Sequence, residues 1–582
     1  MPTYIRLTDY KSSDEKEQEF FNPENRYEAK QEDFEKIPGC PIAYWVSDKG
    51  TIAFENGKEL SKILDIRQGL ATGDNDTFLR LWFEVGFTNT NFIAKNIEEA
   101  LSQTKRWHPY NKGGGYKKWF GNAEYLIAFS NQDYIKLSNQ GNHLPSKQFY
   151  FREGITWSDV STGNFACRYT PVGFMFDVKG SSAFPENNFN YLFSFLNSKF
   201  SIFLLKVLNP TMSYQVGNIK SLPIIFPKQD SIKQKIETLT QQNINISKEE
   251  WDSRETSWDF STNPLLKVKS EELRVKSCRV KDAYDAYCEY WREKFFTLHR
   301  NEEELNRLFI DIYELQDELT PDVELKDITI LKNEAKIIDG ELVFQADEIL
   351  KQFISYGVGV MFGRYSLDSD GLLIANMGQE VPTDTTFEID DDNVIPVLED
   401  NYFTDDIASR FVSFVKTTFG EEHLSENLQF IENALGVTLR KYFVKGFYED
   451  HIKRYKKRPI YWMVASPKKG FMSLMYMHRY TSDIFATIQN AYVREYITKL
   501  EAKKEDEQRN ADDASNSPQQ RNRASKEVEK INKILEEVIK FDRETLTAFA
   551  QNRVEIDLDD GVKVNYCKFK DVLFQYDKKL CK

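Results

Sequence analysis

The chain has 582 residues, of which 41% are hydrophobic and 29% charged, and a formal net charge of -14. This is too long for one hydrophobic core, and the composition predicts a folded protein of two to four domains. No apolar run reaches membrane-spanning length, the first twenty residues lack a basic start followed by an apolar stretch, and the six cysteines form no CxxC pair; these features argue against a membrane span, a signal peptide, a zinc ribbon and a disulfide framework, and predict a reduced, cytoplasmic setting.

In chain order the predicted elements describe an α+β multidomain protein. Residues 1–39 are polar and read as a lead-in. Over 40–230 short apolar runs such as PIAYWVS, YLIAFS and GFMFDV alternate with Gly, Asn and Asp turns, the texture of mixed strands and loops. Inside this region 190–209 is apolar at helical spacing and predicts one buried helix. Residues 231–320 carry heptad-like spacing and predict a helical spacer, and 321–500 read as a mostly helical α/β domain. The stretch 501–525 has almost no apolar content and predicts a disordered linker. An amphipathic helix and a strand-turn tail are expected over 526–582.

The negative charge is unevenly spread. Residues 41–230 hold 20 Lys and Arg against 16 Asp and Glu, a local balance of +4, so the remainder carries -18. Steering towards a polyanion depends on the local field rather than the average. The basic peak is KRWHPYNKGGGYKKWFGN, residues 105–122. Lys105, Arg106, Lys112, Lys117 and Lys118 surround Gly113 and Gly114, with Trp119 and other aromatics interleaved. Glycines permit close backbone approach to a phosphate, lysines neutralise it, and aromatic rings pack on sugars or bases. The same residues also suit a surface hairpin around a buried tryptophan, and both readings stand. Upstream, RQGLATGDNDTFLRLW places Arg67, Thr72, Gly73 and Asn75 at a turn that either contacts a ligand or simply joins two elements.

Catalytic signatures are missing from these residues. The Asn-Pro dipeptides at 22, 209 and 263 are not followed by Pro and an aromatic residue. Gly357, Gly359 and Gly363 form a GxG-like cluster that reads as close backbone packing. The six histidines show no metal-ligand spacing, no GxSxG or GxxxxGK loop occurs, and DDDNV at 390–394 reads as a solvated loop. No catalytic, cofactor or metal residue is therefore assigned.

RQGLATGDNDTFLRLW, YNKGGGYKKWFGN and NPTMSYQVGNIKSLPI resemble the target-recognition region of the PglX family, the adenine methyltransferases of BREX phage defence. The resemblance continues in order through ETSWDFSTNPLL, YGVGVMFGRYSLD, KRYKKRPIYWMVASPKKGF, YMHRYTSDI and IDLDDGVKVNYCKF. It implies the C-terminal half of such an enzyme, with 1–39 leading in from a methyltransferase domain and 40–230 as the target-recognition domain. The family methylates N6 of adenine with S-adenosylmethionine to mark self DNA. In this chain the resemblance implies no bound cofactor, S-adenosylmethionine in the assembled enzyme, and double-stranded DNA, a separate methyltransferase chain and other BREX proteins as partners. Gln215, and Arg152, Thr156, Trp157, Ser161 and Arg168 of FREGITWSDVSTGNFACR, then become residues expected to reach DNA, since Arg reads guanine and Ser or Thr reads several bases. The alternative is a non-enzymatic DNA-binding or assembly module.

Overall fold

The computed structural model describes residues 2–577 and 581, apart from 9, 162 and 272–278. Its elements bear out a mixed α+β architecture with several small sheets and many helices. A two-stranded ladder, Thr3–Ile5 with Arg26–Glu28, opens the chain. Two four-stranded sheets follow. One orders Met175–Phe176, Trp107–Asn111, Tyr125–Ala128 and Leu79–Leu81; the other orders Asp65–Arg67, Ser182–Phe184, Gly154–Trp157 and Cys167–Thr170. Antiparallel pairing dominates, with Tyr110 opposite Tyr125 in the first sheet and Thr156 opposite Arg168 in the second. Strand residues are buried on both faces here, polar ones such as His108 and Thr156 included, so the strands lack a polar-outward alternation.

The single helix expected over 190–209 is two helices, Phe189–Asn197 and Lys199–Leu208, bent by 63°. Ser198 makes the break: its hydroxyl accepts from Ser201 N at 3.2 Å and starts the second helix. Apolar periodicity runs through such a cap without a signal. No single helix among the described residues is long and apolar enough to cross a membrane; by length and composition alone this bent pair passes the same test, and it is mostly buried in the core.

Two long helices, Asp230–Asp252 and Val280–Ile312, follow, and Ile395–Pro396, Met472–Tyr476 and Tyr461–Ala465 form a three-stranded sheet among the later helices. Residues 501–525 are not a disordered linker. They are the ends and turn of a helical hairpin, Arg494–Asp512 and Pro518–Phe541. Leu500, Ala524, Ile531 and Leu535 are buried, and Lys503 reaches both Asp400 at 2.8 Å and Glu527 at 3.3 Å. A two-helix hairpin needs only a narrow apolar stripe, so low apolar content understated its order. Ser517 and Gln520 close a capping box with Pro518 in the first turn.

The tail differs as well. DLDDGVKVNYC is a 3-10 turn, Leu558–Asp560, and a helix, Gly561–Cys567, rather than a strand-turn unit. Cys567 is bonded to Cys581, a pairing the scattered cysteines gave no sign of. One apolar cluster runs from Ala53 to Leu573, so the two four-stranded sheets, the long helices and the later helices share a continuous core.

Candidate nucleic-acid interface

The glycine–lysine loop is largely a structural peg. Lys118 and Trp119 are buried, and both bind Glu302 of the long helix Val280–Ile312: Lys118 Nζ donates to Oε2 at 2.6 Å and Trp119 Nε1 to Oε1 at 2.8 Å. Lys117 Nζ donates to Thr329 O at 2.7 Å, and burial pushes its pKa down. Lys118 N also donates to Thr329 Oγ1 at 3.1 Å. The loop therefore fastens the 40–230 region to the helix Val280–Ile312. The expected phosphate contacts of Lys118 and Trp119 are corrected accordingly, because side chains enclosed by their own fold do not meet a phosphate; Lys117 is half-buried and held by Thr329. Gly113 has φ +90°, and a Cβ there would sit 2.8 Å from Lys179 O, so the close approach its glycine permits is to the chain itself.

Other expected contacts are internal too. Thr156 Oγ1 donates to Gly180 O and Ser181 O, each at 3.1 Å, and Trp157 Nε1 to Tyr214 O at 2.8 Å. Arg168 is buried with Nη2 3.4 Å from Ser158 Oγ, and burial pushes its guanidinium down to about 10. Thr72 is buried and donates to Asn75 Oδ1 at 2.7 Å. Arg106 is drawn to Asp133 at 3.1 Å and Asp559 at 3.4 Å, and Lys105 donates to Thr90 O at 3.2 Å. The alternation of Arg, Thr and Trp along these strands marks their interior and not a reading face.

The surface residues of the expected set fall into four places. Gly73 and Asn75 lie exposed on the 72–75 turn, and Lys112 Nζ reaches Asn75 Oδ1 at 3.3 Å while pairing with Asp177 at 2.6 Å. Arg67 and Arg152 converge on one ring: their guanidiniums lie 4.9 and 5.4 Å from the Phe149 centroid. Ser161 and exposed Gln215 belong to two braced loops, where Ser161 N donates to Met212 O at 3.2 Å and Tyr214 N to Asp159 O at 2.6 Å. Gly114 is exposed beside the peg.

The residues that sequence reasoning missed come from far along the chain. Lys453, Arg454, Lys456, Lys457 and Arg458 put five cations in six positions. Lys453, Lys456 and Lys457 are exposed. Lys456 and Lys457 have φ of 52° and 60°, so the chain turns sharply as the helix Tyr448–Arg454 ends. This ridge separates two hollows. The first, about 620 Å³, gathers Asn75, Arg80, Lys112, Lys456, Arg458 and Lys563. The second, about 460 Å³, includes Tyr116, Lys117, Lys332, Lys453, Arg454 and Lys456. Lys456 lines both and pairs with Glu124. Arg80 donates to the carbonyl oxygens of Asp76, Leu79 and Asp559 at 2.6, 2.7 and 3.1 Å, and burial lowers its pKa. The KRYKKR run was visible as text; its junction with the 72–75 turn was not, because more than 370 positions separate them.

Among the described residues no group of His, Cys, Asp or Glu is arranged to hold a metal ion. Gly357 and Gly359 sit inside the helix Ala346–Met361. Added Cβ atoms there would meet Phe414 at 3.0 Å and Tyr365 at 2.6 Å, so these glycines serve close packing.

No family model matches the chain. Among curated proteins, it is 39% identical over 601 aligned residues to the adenine-specific methyltransferase PglX of Lacticaseibacillus casei, an alignment covering 97% of this chain. It is 35% identical over 608 to the adenine-specific methyltransferase BrxX of Escherichia coli, covering 98%. The chain is a homologue of these PglX and BrxX methyltransferases. It spans about half their length, 48% of each. The expectation of specifically a C-terminal half is corrected to that statement: the matches give a span, not an end. The similarity to PglX and BrxX covers the ridge, the peg and the 72–75 turn alike, since nearly every residue is aligned.

Proposed function

We propose that this chain is the DNA-recognition part of a BREX-type, site-specific adenine-N6 DNA methyltransferase. In this reading S-adenosylmethionine and the Pro-Pro-aromatic loop belong to polypeptide outside these residues, and the assembled cytoplasmic enzyme marks self DNA and works with other defence proteins. The observation that carries the reading is the meeting of the 453–458 ridge with Asn75, Arg80 and Lys112 around one open hollow. Duplex DNA binds chiefly through phosphate neutralisation, and a ridge of exposed lysines between two hollows suits a backbone track. Arg67 and Arg152 over Phe149, and Ser161 and Gln215 on their braced loops, are then the residues left to read base edges.

Lys453, Lys457 and Lys563 test this cleanly, because all three are exposed and none pairs with a buried carboxylate. Replacing the three with alanine is expected to weaken binding to a random-sequence duplex on the order of 10²-fold at about 0.1 M salt, and to flatten the log–log salt slope by up to about 2.7. Unchanged affinity and slope in a fluorescence titration would remove the ridge from the interface.

A further inference from the structure

The second hollow beside the ridge, of about 460 Å³, is walled by parts of the chain far apart in sequence. Its size falls within the range of about 300–1,000 Å³ that suits a small ligand. Tyr116 comes from the glycine–lysine loop, Trp251 from the last turn of the helix Asp230–Asp252, Phe260 from the loop after it, Tyr356 from the helix Ala346–Met361 and Lys453 from the ridge. The charge on this wall is unbalanced. Four carboxylates line it, and each is engaged within the fold: Glu124 by Lys456, Glu255 by Arg454 at 3.1 Å, Glu348 by Lys351 at 3.0 Å and Asp450 by the Tyr442 hydroxyl at 2.8 Å. Arg254 pairs with Glu250 and Glu334, and Lys117 lies 3.7 Å from Glu250. Lys332 and Lys453 remain. Both are exposed, and among the described residues neither forms an ion pair; Lys332 donates only to the carbonyl oxygen of Lys326. Asn333, exposed on the same wall, makes no side-chain hydrogen bond among the described residues.

We propose that this hollow binds a single nucleotide unit, with its phosphate at Lys332 and Lys453 and its base against the aromatic side chains. Three observations carry this together: two lysines left without a carboxylate, four aromatic side chains on the same wall, and the free amide of Asn333. The lysines call for an anion. A bare inorganic anion leaves the aromatic part of the wall unused, whereas every nucleobase has a face that stacks on an aromatic ring. The Asn333 amide offers both a donor and an acceptor to a base edge. Two sources carry this chemistry. One is a free mononucleotide. The other is an unpaired nucleotide of a DNA strand, which costs least to turn out of the stack. Its neighbours in the strand would follow the exposed lysines of the ridge, and Lys453 belongs to the ridge and the hollow alike. The strand source rests on the function proposed above; the mononucleotide source does not.

The test uses the full chain beside Lys332→Ala and Asn333→Trp, both at exposed positions off the ridge, the second filling the hollow with an indole. Saturation-transfer NMR with each deoxynucleoside monophosphate at millimolar concentration should show transfer to base protons. That transfer should vanish in Asn333→Trp and fall by at least half in Lys332→Ala, and equimolar inorganic phosphate should displace it only weakly. In a fluorescence titration a duplex with one bulged nucleotide should bind about tenfold more tightly than the fully paired duplex, a preference that Asn333→Trp loses. A response to monophosphates alone supports the site with a free nucleotide as its ligand, and a preference for the bulge supports it with a strand as the source. Transfer that persists in Asn333→Trp, or displacement by inorganic phosphate as complete as by a second nucleotide, overturns the nucleotide site. So does silence with every monophosphate together with equal affinity for bulged and paired duplexes. A chain that binds neither duplex overturns the DNA reading instead, while the monophosphates still decide the hollow.

Discussion

Replacing Glu302 with alanine is expected to destabilise the fold by about 3–5 kcal/mol, the range for removing one partner of a buried ion pair. Among the described residues Glu302 is the one hydrogen-bond acceptor of two buried donors, the Lys118 ammonium and the Trp119 indole. Trp119 is further fixed by φ +68°, by its backbone hydrogen bonds to Cys167 and Tyr169, and by an edge contact with Phe193 at 5.4 Å. It cannot follow the lost carboxylate, so both donors stay enclosed. Pairing the opposite changes, Lys118→Met with Glu302→Gln, removes the charge and keeps an acceptor for the indole. Most of the loss should return. Urea denaturation of the three proteins measures this directly. A Glu302→Ala protein within about 0.5 kcal/mol of the parent would mean that the peg does not hold the 40–230 region to the helix Val280–Ile312.

That peg shows how far the sequence could be read. Lys112, Lys117 and Lys118 around three glycines are what a phosphate cradle requires, and they are equally what a loop inserted between helices requires. The deciding fact is Glu302, some 180 positions away, and one-dimensional reading has no access to it. The α+β class was legible because short β-rich runs and long amphipathic runs differ in period. The Ser198 break was not, because a serine cap leaves an apolar stripe intact. The helical hairpin at 494–541 was mistaken for disorder because its stability lies in one narrow stripe and in pairs such as Lys503–Glu527. Asn75, Lys112 and Arg152 kept surface positions; Thr156, Trp157 and Arg168 did not, since strands buried on both faces hide polar residues as completely as apolar ones. DDDNV at 390–394 also departed from a solvated loop. Asp390 and Asn393 are buried, with Asp390 Oδ1 accepting from Val394 N at 3.0 Å.

Asp390 enters the second large effect, the opposed contributions of buried histidines and carboxyls to stability on mild acidification. Three histidines are buried and held neutral. His108, packed between Phe129 and Phe151, is pushed down to about 4 by burial and then by Lys105. His478 is pushed down to about 3 by burial and Arg364. His451 lies well below its usual range through burial and the nearby Arg454 and Arg364, and its Nε2 accepts from Ile460 N and Tyr461 N at 3.2 and 3.1 Å. A base whose folded pKa is depressed stabilises the fold above its unfolded value near 6.5, and that stability drains away as pH falls below it. Between pH 6.5 and 5 each histidine takes up close to one proton only on unfolding, about 2 kcal/mol apiece. Asp390 acts with the opposite sign. Burial and the neighbouring Asp392 push it up to about 7, so in this window the folded state holds a proton that the unfolded state has released. Burial raises Glu84 in the same sense. Asp392 and Asp252 are raised by burial as well, so the carboxyls and the histidines oppose one another and a single histidine is the cleaner probe. His108 isolates one term, since it has no hydrogen-bond partner to strand. His108→Leu should flatten the stability–pH profile by up to about 1.4 kcal/mol per pH unit between 6.5 and 5. Parallel profiles for the parent and His108→Leu, from urea titrations across that window, would show that His108 is not held neutral in the core.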